Sequence, residues 1–485
     1  MSHEMELYTA VVTSSLAATT YEGTDERVER ISRLVQEVDP TFVAQLAVYA
    51  RNSMNLRSIP LLLTVELARV HNGDDLVART VDGVVQRADE IMELLACYQW
   101  RNPSNGPRKK LGHLSRQIQN GLQRAFNHFD EYQFAKYNSD ARGVKLRDAL
   151  FLVHPKAKDE AQQQLFDKIA SNTLATPYTW ETELSALGQQ QFETDEAKQL
   201  AFSRKWQELI ASRQLGYMAL MRNLRNILQC RDMPGSAVNT VIDTLTSKTR
   251  VLKSRQLPFR YLSAYREVAR VESLWTQAVM DALEEAVMVS ADNIAGFDEG
   301  TRVLVAADVS GSMDCPVSAH SKVRNYDIGL MLAMMLKSRC HLVVSGMFGD
   351  IWKVINLPSS NVLSNVNAMY QREGEVGYST NGHLVIDYLC EQRQVIDKVM
   401  IFTDCQMWDS SGRDDSLRKS WHRYKAIAPD ARLYLFDLDG YGDAPLSLAE
   451  RDVYLIAGWS DKVFDMLSAL ENGSTVLNEI KSIDL

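Results

Sequence analysis

Through the first ~290 residues apolar positions recur at i, i+3, i+4 and i+7, the spacing that gives a helix one buried face. The pattern predicts helices over residues 42–50, 59–70, 81–98, 111–129, 213–229, 237–246 and 261–289. Short polar connections such as HNGDD and RNPSNGP separate them. Helix after helix with brief turns predicts antiparallel pairs stacked as a solenoid of HEAT type. No clean repeat period fixes the repeat class.

From Thr301 the period changes. Strand candidates lie at 302–307 (RVLVAA), 341–348, 399–403, 432–436 and 453–457, with helical stretches at 326–338, 383–393, 415–427 and 462–470. Such alternation predicts a mostly parallel sheet with helices on both faces. The turn-rich segment NIAGFDEG (293–300) has no apolar period and marks the boundary. The expected organisation is therefore an all-α module over residues 1–295 and a doubly wound α/β domain over 296–485.

Composition adds limits. A chain of 485 residues exceeds what one core holds. A net charge of −9 argues against coating of nucleic acid by the whole surface. Six cysteines are scattered with no CxxC pair, which suits free thiols in a reducing compartment. No signal peptide or apolar membrane span is evident, so the expected location is the cytoplasm, with a monomer as the expected state.

Chemistry concentrates at two places. The first is LVAADVSGS, where an apolar strand runs into Asp308, Ser310 and Ser312. Ligands of open α/β sheets bind at the carboxyl ends of the strands. Three hard oxygen donors at i, i+2 and i+4 suit Mg²⁺ or another divalent cation. Two further donors stand in matching contexts: Thr380 in the loop GYSTNGH, and Asp404 at the end of the strand VMIFTD. A capping serine after a strand explains DxSxS alone; it does not explain all five. Asp327, Asp409 and Asp437 read as solvated or capping carboxylates. Phosphatases that form an aspartyl phosphate place a second Asp two residues after the nucleophile. Ser310 stands there instead, and no P-loop, HExxH or GxSxG pattern occurs. A binding site for an acidic group, without catalysis, is the expectation.

The second place is a charge reversal. Between Arg101 and Lys158 twelve Lys and Arg face four Asp and Glu, inside a chain that is acidic overall. Aromatic and polar residues interleave with them, including Phe126, Phe129, Tyr132, Tyr137 and Asn138. That mixture can grip phosphates and stack bases of single-stranded RNA. Helix position and charge single out Arg116 and Arg124.

Several segments together carry a resemblance. DxSxS with a later Thr and Asp resembles the metal-ion-dependent adhesion site (MIDAS) of von Willebrand factor A (vWA) domains. LQRAFNHFDEYQFAKYN followed by VKLRDALFLVHPKAK, then QLGYMALMRNLRNIL and LKSRQLPFRYLSAYR, resembles the TROVE module. TROVE followed by vWA is the arrangement of the Ro ribonucleoprotein family, and the compact length suits a bacterial or phage member. The resemblance implies a ring of HEAT-like helical repeats closed by the vWA domain. It implies binding of small noncoding Y RNAs on the ring surface and of single-stranded 3′ ends of misfolded RNAs in its hole. It further implies work as a scaffold in RNA quality control with an exoribonuclease. By motif position, Lys136, Arg142 and His154 match residues that contact Y RNA in the family. The alternative is a metal-dependent protein-interaction module that recruits a partner through the vWA site. The opening LYTAVVTSSLAATTYEG departs from the family pattern, so the first helices are expected to differ. The polar stretch 172–199 is left unassigned.

Overall fold

The structure, a computed structural model, describes residues 2–13, 24–102, 114–138, 143–256, 258–294, 296–316, 322–404, 416–438, 446–450, 452–457, 464, 467–468, 471 and 474–485. Helices α1 (His3–Thr13), α2 (Thr24–Glu37), α3 (Pro40–Asn52), α4 (Ser58–Val70), α5 (Leu76–Val84), α6 (Ala88–Arg101), α7 (Arg116–Ala125), α8 (Glu131–Tyr137), α9 (Leu146–Val153) and α10 (Glu160–Ser171) come first. The series continues with α11 (Trp180–Gly188), α12 (Asp195–Ala211), α13 (Tyr217–Leu228), α14 (Gly235–Thr246), α15 (Lys248–Ser254), α16 (Pro258–Val268) and α17 (Thr276–Ser290).

Two helices expected to be continuous are each broken. The stretch 81–98 divides into α5 and α6 because fully buried Glu90 accepts from the backbone N–H groups of Gln86 (2.8 Å) and Arg87 (3.0 Å), ending one helix and starting the next. Arg51 pairs with the same carboxylate at 2.9 Å. The stretch 261–289 divides into α16 and α17, with the Thr276 hydroxyl donating to the Val271 carbonyl at 2.7 Å in the turn between them. Apolar periodicity runs through both breaks, so it could not reveal them; the caps decide. In the stretch 213–229 the left-handed Arg213 (φ 55°) delays the start of α13 to Tyr217. The unassigned stretch 172–199 holds α11, which buries no residue, and the start of α12.

The sheet contains β1 (Arg302–Asp308), β2 (Leu342–Phe348), β3 (Trp352–Val354), β4 (Lys398–Thr403), β5 (Arg432–Asp437), β6 (Leu446–Glu450) and β7 (Val453–Ala457), in the order β3-β2-β1-β4-β5-β7-β6. The five strands expected from sequence form the parallel centre; β3 and β6 add antiparallel edges. From β1 the chain crosses to β2 on one side and later returns to β4 on the other. The carboxyl ends of β1 and β4 therefore frame the topological switch point, where open α/β sheets bind ligands. Helices α18 (Asn325–Lys337), α19 (Val362–Tyr370), α20 (His383–Gln392) and α21 (Ser416–Lys425) accompany the strands, and α22 (Ser474–Lys481) follows them. α18 is buried from Asn325 to Leu336. Its Gly329 lies so close to the sheet that a Cβ there would meet Ala307 and Phe402 side-chain atoms at 3.0–3.2 Å.

The chain forms two compact units, whose division by contact falls elsewhere than the change of period near 293–300. One unit holds the helices up to Glu183 and the C-terminal residues, where the Gln45 amide donates to the carbonyls of Lys481 (2.9 Å) and Ile483 (3.1 Å). The other runs from Leu184 to Asp465, so α12–α17 belong with the sheet. Charged contacts hold that second unit together. Arg266 of α16 pairs with fully buried Asp327 of α18 through two hydrogen bonds of 2.5 and 2.7 Å. Glu284 of α17 caps α19 by accepting from the N–H groups of Leu363 and Ser364, both at 2.8 Å.

Candidate metal centre and nucleic-acid surface

The apolar run of β1 delivers Asp308 to the switch point with its side chain fully buried. Its carboxylate accepts from the Ser310 N–H at 2.8 Å and from the Thr403 hydroxyl of the adjacent strand at 2.8 Å. The Ser310 and Ser312 hydroxyls lie 3.1 Å apart. Asp404, also buried, follows Thr403 and repels Asp308. Burial pushes the Asp308 carboxyl above the usual range; hydrogen bonds from Ser310 and Thr403 oppose this and the charge of Asp404 reinforces it. A buried carboxylate beside a second one, ringed by hydroxyls, is a set of hard oxygen donors whose repulsion a divalent cation would relieve. The residues present fit such an ion. Among the described residues no cluster of three or more His, Cys, Asp or Glu forms; the donors here are two carboxylates and hydroxyls.

Thr380 reaches the same end of the sheet through a loop tied to β2. The N–H of Asp350 donates to the Val376 carbonyl at 2.7 Å, and the N–H of Ser379 to the Asp350 carboxylate at 3.2 Å. Gly377 adopts φ +77° there, a conformation that favours glycine. Since β2 runs parallel to β1 and pairs with it at Phe348↔Asp308, the tie places the Thr380 loop at the carboxyl end of the strands. Sequence reasoning missed Thr403 and Asp350, one orienting Asp308 and the other the Thr380 loop. Thr403 directly precedes Asp404 at the strand end, which was the available signal. Asp327, read as solvated or capping, does cap α18 by accepting from the Arg324 N–H at 2.8 Å, but it is a buried ion-pair partner and not solvated. Asp437 is buried too, and Asp409 lies outside the described residues.

The basic stretch is sorted by its partners. Arg101 is occupied: it pairs with Glu66 at 2.6 Å and Glu29 at 2.9 Å. α7 buries Ile118, Gly121, Leu122 and Ala125 and exposes Arg116, Asn120 and Arg124 along one line. Arg124 has Asp75 at 3.8 Å. From the flank of α7, Gln123 donates to the carbonyls of Val153 (2.9 Å) and His154 (3.2 Å), fastening the turn that presents His154. His154 is exposed and left-handed (φ 48°, ψ 58°). Exposed Lys156 and Lys158 follow it, and Asn127 donates to the Lys156 carbonyl at 2.9 Å. Lys136 is exposed on α8, its ammonium 5.5 Å from the ring centre of Tyr132 and 5.7 Å from that of Tyr137. Arg147 lies 5.6 Å from the ring of Phe151, which is half exposed. The structure thus joins Arg116, Arg124 and His154 through α7 and places Lys136 on a separate helix. Arg142 lies outside the described residues.

Comparison with known proteins supplies the family. The TROVE domain matches over residues 9–205 and 172–295, more than half of the chain, and the Ro60 vWA domain matches over 302–469. The chain belongs to the Ro family. A solved structure, the Ro (RSR) protein of Deinococcus radiodurans, shares the fold with a TM-score of 0.68 at 19% identity, covering 98% of this chain and 100% of that one. The RNA-binding protein RO60 of the same organism is 26% identical over 40% of this chain and 38% of its own length. Telomerase protein component 1 of Rattus norvegicus is 22% identical over 51% of this chain. This Ro-family chain spans about an eighth of that telomerase component, 12% of its length. As expected for the family, helices precede an α/β domain with a parallel central sheet. No helix among the described residues is long and apolar enough to cross a membrane.

Proposed function

We propose that this chain is a noncatalytic RNA-binding scaffold. It holds small structured noncoding RNAs of the Y-RNA kind and single-stranded ends of misfolded RNAs, and it presents them to degradation machinery such as an exoribonuclease in the cytoplasm. One observation carries the reading: on α8 exposed Lys136 stands beside the exposed ring of Tyr132, on α9 exposed Arg147 stands beside that of Phe151, and exposed His154 and Lys156 follow α9. Cations grip phosphates, and rings stack bases that a duplex would hide. A Ro-family relative is named an RNA-binding protein, in agreement with this. Filter binding with a small structured RNA carrying a single-stranded tail tests it. Affinity falls with log salt by about 0.7–0.9 per phosphate contact, and Lys136→Ala/Arg142→Ala lowers it about tenfold or more. Unchanged affinity in the double variant would remove these residues from the surface.

His154 yields a sharper expectation. A non-glycine residue in the left-handed region is disfavoured by about 1–2 kcal/mol, and glycine is the usual residue at such a helix end. His154→Gly is therefore expected to raise stability in urea by roughly 0.5–1 kcal/mol while lowering RNA affinity. A variant that gains stability and keeps full affinity shows a purely structural turn.

The geometry around Asp308 favours a second, compatible activity. Asp308, Ser310, Ser312, Thr380 and Asp404 would hold Mg²⁺ or another divalent cation, and that ion would take an acidic side chain of a protein partner. In thermal unfolding, Mg²⁺ at a hundredfold excess over its dissociation constant stabilises by about 2.7 kcal/mol. Asp308→Ala is expected to abolish that gain, and an equal response to Mg²⁺ in both proteins would refute the assignment.

A further inference from the structure

Two helices of the second unit line a cleft that neither site above uses. On α13, Met218, Arg222 and Arg225 are spaced i, i+4 and i+7; on α16, Arg260, Ala264 and Glu267 repeat that spacing. Each triplet occupies one helix face, and the two faces bound one cavity of about 310 Å³. A helix seam is ordinarily filled by apolar side chains. Here buried Met221 shares the lining with three exposed arginines, Arg222, Arg225 and Arg260. Arg225 is held by Glu267 at 2.9 Å. Arg222 and Arg260 are exposed, and among the described residues neither has an ion-pair or hydrogen-bond partner. Both belong to segments, MALMRNLRNIL and LPFRYLSAYR, that the RNA surface and the metal centre leave unexplained.

Two unpaired like charges on one concavity repel each other, and an anion between them removes the repulsion. The planar fork of arginine matches a phosphate in particular. A bare phosphate would leave the methionines idle. A ring bearing a phosphate uses both, because thioethers pack well on aromatic rings. The Asn226 amide, which gives one proton to Asn223 at 3.0 Å, has a second for the polar edge of that ring. The volume sits at the small end of the roughly 300–1,000 Å³ of ligand sites, which suits one nucleotide. We propose that the α13–α16 cleft binds a single nucleoside monophosphate unit, its phosphate on Arg222 and Arg260 and its base over Met218 and Met221. The unit comes either from a free nucleotide or from one residue of an RNA strand, and only the second source rests on the RNA-binding reading.

Calorimetric titration of the full chain tests this with AMP, GMP and UMP, the matching nucleosides, inorganic phosphate, and a 5′-phosphorylated single-stranded RNA of about ten residues (one residue per site, with flanking contacts). At least one monophosphate or the strand binds saturably, and the nucleosides and bare phosphate bind more weakly. Arg222→Ala/Arg260→Ala lowers that affinity about tenfold or more. Binding of monophosphates identifies the free nucleotide as the source; arginine-dependent binding of the strand alone identifies the RNA. Should the double alanine variant unfold, Arg222→Lys/Arg260→Lys keeps the charge and loses the fork, with the same loss expected. Equal binding by wild type and variant overturns the proposal, as does arginine-dependent binding of polyglutamate with no nucleotide binding. Retention of structured RNA by a protein whose cleft binds nothing defeats this proposal alone. Loss of structured RNA with intact monophosphate binding defeats the earlier reading alone.

Discussion

Asp327→Ala is expected to destabilise the protein by about 3–5 kcal/mol, the range for removing one partner of a buried ion pair. Asp327 has no exposed surface, and it accepts from both terminal nitrogens of Arg266 and from the Arg324 N–H. Among the described residues, alanine leaves the Arg266 guanidinium, 18% exposed, with only the Asn367 side chain and the Lys322 carbonyl as acceptors. It also opens the first turn of α18, whose cap Asp327 completes. Urea unfolding reads the loss directly. The double variant Arg266→Met/Asp327→Leu removes both charges and retains most of the volume, so it is expected to recover much of the stability. If single and double variants unfold alike, packing and not charge isolation sets the loss.

Gly121→Ala is expected to cost about 1–3 kcal/mol or somewhat more, as overpacking does. A Cβ at this position would lie 2.5 Å from Cβ of Val81 and 2.7 Å from the backbone oxygen of Ala78. Neither can swing aside, since one is the root of a branched side chain and the other is backbone. α7 must therefore back away from α5, which also disturbs the hydrogen bond from the Val77 N–H to the Gln117 side chain, 3.1 Å. Because α7 carries Arg116 and Arg124 and fastens the His154 turn, the urea midpoint and RNA retention should fall together. An unchanged midpoint would mean that the helices separate freely, against the packing described above.

Much of the architecture was legible because its signals are local. The strand-to-loop run into Asp308 and the change of period at Thr301 both lie within a few neighbouring residues, and the parallel strands appear where those signals place them. The edge strands were not legible. Trp352–Val354 is three residues long, too short for an alternation to register. The pairing of Arg266 with Asp327 spans 61 residues of sequence and has no local trace. Of the candidate site, the donors Asp308, Ser310, Ser312 and Asp404 could be listed from spacing, but the Thr403 hydrogen bond that orients Asp308 depends on strand register, which sequence does not state. In the basic stretch, charge alone counted Arg101 with the rest, and only the contacts show it committed to Glu66 and Glu29.

The tie between α16 and α18 bears on how this chain can be dissected or recombined. A fragment beginning at residue 296 would include every strand of the sheet yet lose the guanidinium that neutralises Asp327 and the carboxylate of Glu284 that caps α19. The vWA part is thus no portable cassette. A laboratory graft of it has to bring α16 and α17 along.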